Sequence, residues 1–223
     1  MQKTFFPMLY FILRAAVLIN LTSFCTECGA HTEIRIDEES KYFPYQDVYQ
    51  AFKNITDLKD FYWLYGFNYN SNHTLGKTCV YFKIEGLSEH GMNYSSHFIK
   101  EGKNGTIPYT GTFLSSEAEN YSGKKKREKF NTLHSEVRNS EDRWPMNYTL
   151  VFSDYKECSV FRVLAINNGH GCMVLAGDSA ARKNALPEKC QSMYHNACDK
   201  SKDRFEKIFD NNCTKPKFMV VNP

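Results

Sequence analysis

Hydrophobic residues along this chain recur mostly at every second position, in short runs separated by polar turns. That is the signature of half-buried strands. The run Phe61-Tyr62-Trp63-Leu64-Tyr65-Gly66-Phe67-Asn68-Tyr69 is too aromatic for a surface loop and rich in strand formers. Regular alternation places Phe61, Trp63, Tyr65, Phe67 and Tyr69 on one face, and Tyr62, Leu64, Gly66 and Asn68 on the other. Residues 79–84 form the next expected strand, with shorter ones at 94–100, 110–114 and about 129–133. The clearest late strands are 148–152, 158–166 and 172–176. Asn167-Asn168-Gly169-His170-Gly171 joins the last two as a hairpin turn. The spacing of Val48, Ala51 and Phe52 predicts a short helix over 47–54. A second helix is expected after Pro187, from 188 to about 209, where Cys190, Tyr194 and Cys198 recur every four residues on one face.

About eight short strands with regular turn signals point to an antiparallel sandwich or a closed barrel. A helix after the last strand, tied back by cysteines, favours the barrel. The expected fold is therefore mainly β: an eight-stranded antiparallel barrel with a short N-terminal helix, a C-terminal helix and disulfide bracing. An eight-stranded barrel has room inside for one small ligand.

The N-terminus suggests the compartment. Lys3 precedes an apolar stretch from Phe5 to Leu13, interrupted by Arg14 and resumed over Ala15–Ile19. Small and polar residues then reach Cys28-Gly29-Ala30. This reads as a secretory signal over residues 1–30, cleaved after Ala30, followed by one domain over 31–223. No apolar run approaches the roughly 20 residues needed to span a bilayer. Asn-x-Ser/Thr triplets at Asn54, Asn72, Asn93, Asn104, Asn120, Asn147 and Asn212 are glycosylation candidates and suit a secreted surface. Cleavage would remove Cys25 and Cys28, leaving Cys79, Cys158, Cys172, Cys190, Cys198 and Cys213, an even set suited to three disulfides. Six cysteines allow fifteen pairings, and spacing alone does not choose among them.

Composition narrows the function. The chain has 223 residues, is 15% aromatic and carries a net charge of +3, too small for a nucleic-acid-binding surface. The one basic run, Lys124-Lys125-Lys126-Arg127, lies in a polar stretch and reads as a solvated loop. The mature histidines are scattered, without a metal-binding pair, and the cysteines lack C-x-x-C spacing. Gly86-Leu87-Ser88-Glu89-His90 begins like a nucleophile elbow but lacks its closing glycine. The expectation is a binding protein rather than an enzyme, with no metal, no cofactor, no membrane and no nucleic-acid partner, acting as a monomer.

The late-strand run Ser153-Asp154-Tyr155-Lys156-Glu157-Cys158-Ser159-Val160-Phe161-Arg162-Val163 resembles the signature of tick salivary lipocalins, the histamine-binding family of the calycin superfamily. Trp144, Asn147-Tyr148-Thr149-Leu150, Gly171-Cys172, Pro187, Cys190, Tyr194, Cys198 and Cys213 keep that family's order. The aromatic strand at 61–69 followed by Cys79 also fits. The resemblance spans most of residues 45–213 and is weakest between about 85 and 140. It implies an eight-stranded calyx and, by position, the pairings Cys79–Cys213, Cys158–Cys190 and Cys172–Cys198. It also implies sequestration of a small host mediator by a secreted protein. In the family's amine signature an Asp follows the late-strand cysteine and a Glu stands in the next strand. This chain has Ser159 and Met173 there, and both substitutions remove a negative charge.

Two ligand classes follow from the resemblance: a biogenic amine such as histamine or serotonin, or an eicosanoid such as a leukotriene. The missing acids shift weight toward the lipid. A lipocalin-fold inhibitor of a host defence protein is the alternative. Candidate ligand contacts are Trp63, Tyr65, Phe67 and Tyr69 from the aromatic face, Glu117 as a carboxylate and Arg162 in a late strand. Glu119, Asp57 and Asp60 are further acids that an amine could use, although a solvent-facing carboxylate is their ordinary role.

Overall fold

The computed structural model describes residues 47–53, 61–71, 74–115, 129–198 and 204–216, the side chain of Asn168 excepted. Helix α1 (Val48–Lys53) precedes eight strands: β1 (Phe61–Phe67), β2 (Lys77–Ser88), β3 (Gly91–Lys100), β4 (Lys103–Leu114), β5 (Thr132–Val137), β6 (Met146–Ser153), β7 (Cys158–Val163) and β8 (Gly171–Ala176). Helices α2 (Asp178–Arg182) and α3 (Glu188–Cys198) follow, then a two-residue strand β9 (Glu206–Lys207). Each of the eight strands pairs antiparallel with its neighbour in sequence, and β1 pairs with both β2 and β8. That closes an up-and-down barrel and leaves no open edge between its strands. No helix among the described residues is long and apolar enough to cross a membrane.

Alternation along the strands sorts the apolar side chains into two cores. One lies on the outer side of the wall, where Val160, Cys172, Val174 and Ala176 of β7 and β8 meet Ala180, Ala181, Cys190, Tyr194 and Ala197 of α2 and α3. The other lies within the barrel and gathers Leu64, Val80, Leu133, Leu150, Phe161 and Leu175. Helix α1 closes one end. Its Phe52 packs on Phe113 and Phe161 at ring distances of 6.2 and 5.8 Å, and its backbone takes a 2.8 Å hydrogen bond from the Tyr62 hydroxyl.

Several local sequences explain their own geometry. In the motif after β6, the Asp154 carboxylate accepts the backbone N–H groups of Lys156, Glu157 and Cys158 at 2.9, 2.8 and 3.0 Å. It therefore shapes the β6–β7 turn and has a structural role. The β3–β4 hairpin turns at Glu101 and Gly102, both with positive φ, which suits a tight turn between twisted strands.

Two expectations are corrected. The C-terminal helix is described over Glu188–Cys198, and residues 204–209 are not helical as expected: Glu206 and Lys207 pair alongside β1 as β9. The even alternation over 61–69 also fails. A register shift lies between Leu64 and Gly66 in the pairing with β8, so Tyr65 is an extra residue in β1. Tyr62 and Leu64 point inward before it, and Phe67 and Tyr69 point inward after it. Phe61, Trp63 and Tyr65 belong to the outer core. Gly66 at the bulge is required by close approach: a Cβ there would lie 2.5 Å from the Glu206 carbonyl oxygen and 2.4 Å from the Phe205 ring.

The disulfides join Cys79 to Cys213, Cys158 to Cys190 and Cys172 to Cys198. Two of them fasten α3 to β7 and β8, and the third fastens the C-terminal segment to β2. Between the first two, Arg162 is 2% exposed and donates to the carbonyl of Ala197 in the last turn of α3, where a cation complements the helix dipole. Arg162→Ala leaves that buried carbonyl without its donor and opens a void. It is expected to lower stability by about 2–4 kcal/mol. Arg162→Met keeps the apolar stem and is expected to lose about half as much. Urea denaturation of the two variants checks the difference.

Candidate functional site

The barrel holds a cavity whose wall is built from the inward positions of successive strands. Strand β1 supplies Tyr62 and Leu64, with Tyr69 just beyond it. Strand β2 supplies Val80, Phe82 and Ile84, and β3 supplies Met92, Tyr94 and Ser96. Tyr109, Leu133, Ser135, Met146, Tyr148 and Met173 complete the ring, and Phe52 forms the floor. Ser71, Thr74 and Trp144 border the opposite end, where Trp144 is 52% exposed and has a left-handed backbone with φ of 46°. The atom-free space, including the open mouth, is about 890 Å³, of which the centre of a water molecule can occupy about 70 Å³. That is room for about five waters. The cup is narrow and suits a compact guest.

Aromatic rings dominate the interior. Tyr94 stacks on Tyr109 with centroids 5.1 Å apart and planes 13° from parallel, and Phe82 meets Tyr94 edge-on at 5.9 Å. The Tyr94 hydroxyl shares a 2.6 Å hydrogen bond with Ser135. No charged residue is present among the described residues that line the cavity.

Burial raises the phenol pKa values. Desolvation is the main cause for Tyr69 and Tyr94, which lie well above the ordinary value, with the neighbouring Tyr148 adding to each. The Tyr94–Ser135 hydrogen bond partly opposes the rise. Desolvation also raises Tyr148 and pushes Tyr109 up to about 12. A phenol that holds its proton more tightly when folded contributes stability that is fully present below the unfolded value of about 10 and is lost as pH rises through the folded value. Alkaline titration followed by tyrosinate absorbance checks this against a free phenol, which ionises near a pH of about 10. The lumen set should lag until the barrel opens, in a window extending beyond pH 12. A single transition near pH 10 for all tyrosines would contradict this burial.

The candidate contacts separate. Tyr69 lines the cavity, and Phe67 lies in the same inner core, 5.2 Å from the Tyr69 ring, without joining the lining. Trp63 is on the outer side of the wall, where its Nε1 donates to Asp178 at 2.9 Å and its ring packs against Phe209 and Tyr81. Tyr65 is also outside, with the Lys207 ammonium 5.1 Å from its ring centre. Arg162 points outward under α3. The bulge in β1 reverses the facing of the two rings, and the parity of Arg162 follows that of Cys158 and Val160 in the outer core. Glu117, Glu119, Asp57, Asp60 and the basic run at 124–127 lie outside the described residues, as do residues 1–30 and the sequons at Asn54, Asn72 and Asn120.

Met173 faces the cavity, and Ser159 is buried with its hydroxyl donating to Ser153 at 2.9 Å. Neither position where the resemblance led one to look for an acid brings a carboxylate inward. The residues that sequence reading missed are the serines and tyrosines of β3 to β6. Their signal was present as alternation: Met92, Tyr94 and Ser96 on one face of β3, and Met146 and Tyr148 on one face of β6. Among the described residues no group of three metal-ligating side chains is gathered.

Solved structures share the architecture. A serotonin complex of a protein called AM182 has 15% identity and a TM-score of 0.51, over 77% of this chain and 94% of that one. Lobster apocrustacyanin A1 has 13% identity and a TM-score of 0.50, over 77% and 85%. Apocrustacyanin C1 gives the same identity, TM-score and coverage. These likenesses establish the lipocalin fold. No curated protein matches the sequence. The profile described as tick histamine binding protein matches residues 36–215, which is most of the chain. The eight-stranded calyx and this match along its length lead to one conclusion: the chain belongs to the tick histamine-binding protein family.

Proposed function

We propose that this protein is secreted in saliva and sequesters a small aromatic amine of the host, blunting a defence response by lowering the free amine concentration. The observation that carries this reading is the stacked Tyr94–Tyr109 pair with Phe82 beside it, inside a narrow cup. Tyrosine faces attract a cation, by up to about 2 kcal/mol each when water is excluded. A flat aromatic guest gains a further ~0.5–1.5 kcal/mol from each well-placed ring. Membership of a family described as histamine-binding supports the amine class. The serotonin bound by the structural neighbour is consistent with it.

With Ser159 and Met173 at the two acid positions, ring contacts carry more of the affinity and charge pairing carries less. That favours an amine with a larger ring system, such as serotonin, over histamine. The eicosanoid reading gains from the same missing acids. It lacks a Lys or Arg among the described lining residues to receive a carboxylate, and the water-accessible part of the cup is small for a long acyl chain. Calorimetric titration against serotonin, histamine, leukotriene B4 and a thromboxane analogue tests the choice. One serotonin site of micromolar or tighter affinity is expected, with histamine weaker by about tenfold, the equivalent of one lost stacking contact. Tyr109→Ala is expected to weaken serotonin by about 5- to 30-fold. Saturable binding of an eicosanoid alone would overturn the amine reading. Absence of heat with all four would turn attention to a host defence protein as partner.

A further inference from the structure

The outer wall of the barrel carries a groove beside β6, edged by Leu114, Pro145, Leu164 and Ala165. Leu114 and Leu164 are 40% and 39% exposed, among the few large apolar side chains left open to solvent. On the rim of this groove stands Asn147, exposed, in the triplet Asn147-Tyr148-Thr149. Tyr148 points into the lumen, so Asn147 and Thr149 point out. The His134 ring donates from Nδ1 to the Asn147 Oδ1 at 2.7 Å, which fixes the side-chain amide. A second outer-wall groove, lined by Phe98 and Ile99 among others, has the sequon residues Asn104 and Asn212 on its rim.

We infer that Asn147 carries an N-linked glycan whose first sugars lie in this groove and cover Leu114 and Leu164. In the modifying step the Asn147 Nδ2 attacks the anomeric carbon of a lipid-pyrophosphate-linked oligosaccharide. An N–C bond forms, the amide loses one proton, and the C–O bond breaks to release the lipid pyrophosphate. The C–H faces of a pyranose ring pack on leucine side chains, while its hydroxyls stay in water. The inference shares secretory export with the reading above but does not depend on ligand capture.

The full chain expressed in a glycosylating insect line provides the test, with site occupancy read by mass spectrometry after enzymatic release in heavy-oxygen water. Asn147 is expected to be modified. Hydroxyl-radical footprinting should show Leu114 and Leu164 oxidised severalfold more in N147Q than in the parent. N93Q, which removes a sequon from the open face of β3, should leave them unchanged. T149S preserves the sequon and should behave as the parent. An unmodified Asn147 beside modified Asn93 or Asn104 would overturn the inference and leave export standing. Complete absence of glycans would sink both, while amine titration would still judge the ligand reading. Equal footprints for N147Q and N93Q would show that the glycan does not lie in the groove.

Discussion

Met173→Glu is expected to raise the affinity for a protonated aromatic amine by about 10- to 100-fold. A hydrogen bond to a charged group contributes about 1.5–3 kcal/mol, and each 1.4 kcal/mol is a factor of ten. Met173 lies in β8 opposite Phe67 and Phe161 and lines the cavity. A carboxylate there would sit inside the tyrosine-lined cup, where the described lining is uncharged. The free protein should be less stable than the parent, because burial disfavours the ionised carboxyl and raises its pKa. The affinity gain should therefore be present above that raised value and fade as pH falls through it. Met173→Gln has the same shape without the charge and should give no comparable gain. Calorimetry at pH 6 and pH 8 on both variants separates charge from shape. Equal affinities for the Glu and Gln variants at pH 8 would contradict an amine seated beside β8.

The second large effect is on stability. Converting Cys79 and Cys213 to serine opens a loop with a sequence separation of 134 residues. Chain-entropy arithmetic for a loop of that size gives about 5 kcal/mol, against about 3.5 kcal/mol for the 26-residue separation of Cys172 and Cys198. At roughly 2–4 °C per kcal/mol for a chain of this size, the first change should lower Tm by about 10–20 °C. Both cysteines belong to the outer-wall packing around Trp63 and Phe209. The cup itself should keep its affinity at temperatures where the variant stays folded. Thermal unfolding without reductant, paired with ligand titration at low temperature, checks both halves. A smaller Tm loss than that of the Cys172/Cys198 double variant would contradict the loop-length ordering.

Much of the fold was legible because strand alternation and turn residues are local signals. The runs at 79–84, 148–152 and 172–176 all lie within observed strands, and the eight-stranded count follows from them. The facing of β1 was not legible. Its five alternating rings look like one continuous surface, yet a single extra residue at Tyr65 sends Trp63 outward and Tyr69 inward. A bulge is set by pairing with β8 and by the close approach of Glu206 to Gly66. Both partners lie more than a hundred residues away. The departure of residues 204–209 from the helix was hidden for a similar reason. The Cys172 disulfide and Arg162 tie Ala197 and Cys198 to the wall, and Glu206 and Lys207 pair with β1; the periodicity of 188–209 carries no trace of these contacts. Tyr94, Tyr109 and Tyr148 converge only once the barrel closes, because each comes from a different strand.

A crystal of the protein soaked with serotonin, or with a brominated tryptamine whose anomalous signal marks its ring, decides whether the calyx holds an aromatic amine. Density for the aromatic ring is expected inside the calyx, against the faces of Tyr94 and Tyr109 and within reach of Met173. An empty lumen at saturating ligand, or density confined to the outer wall, would contradict it.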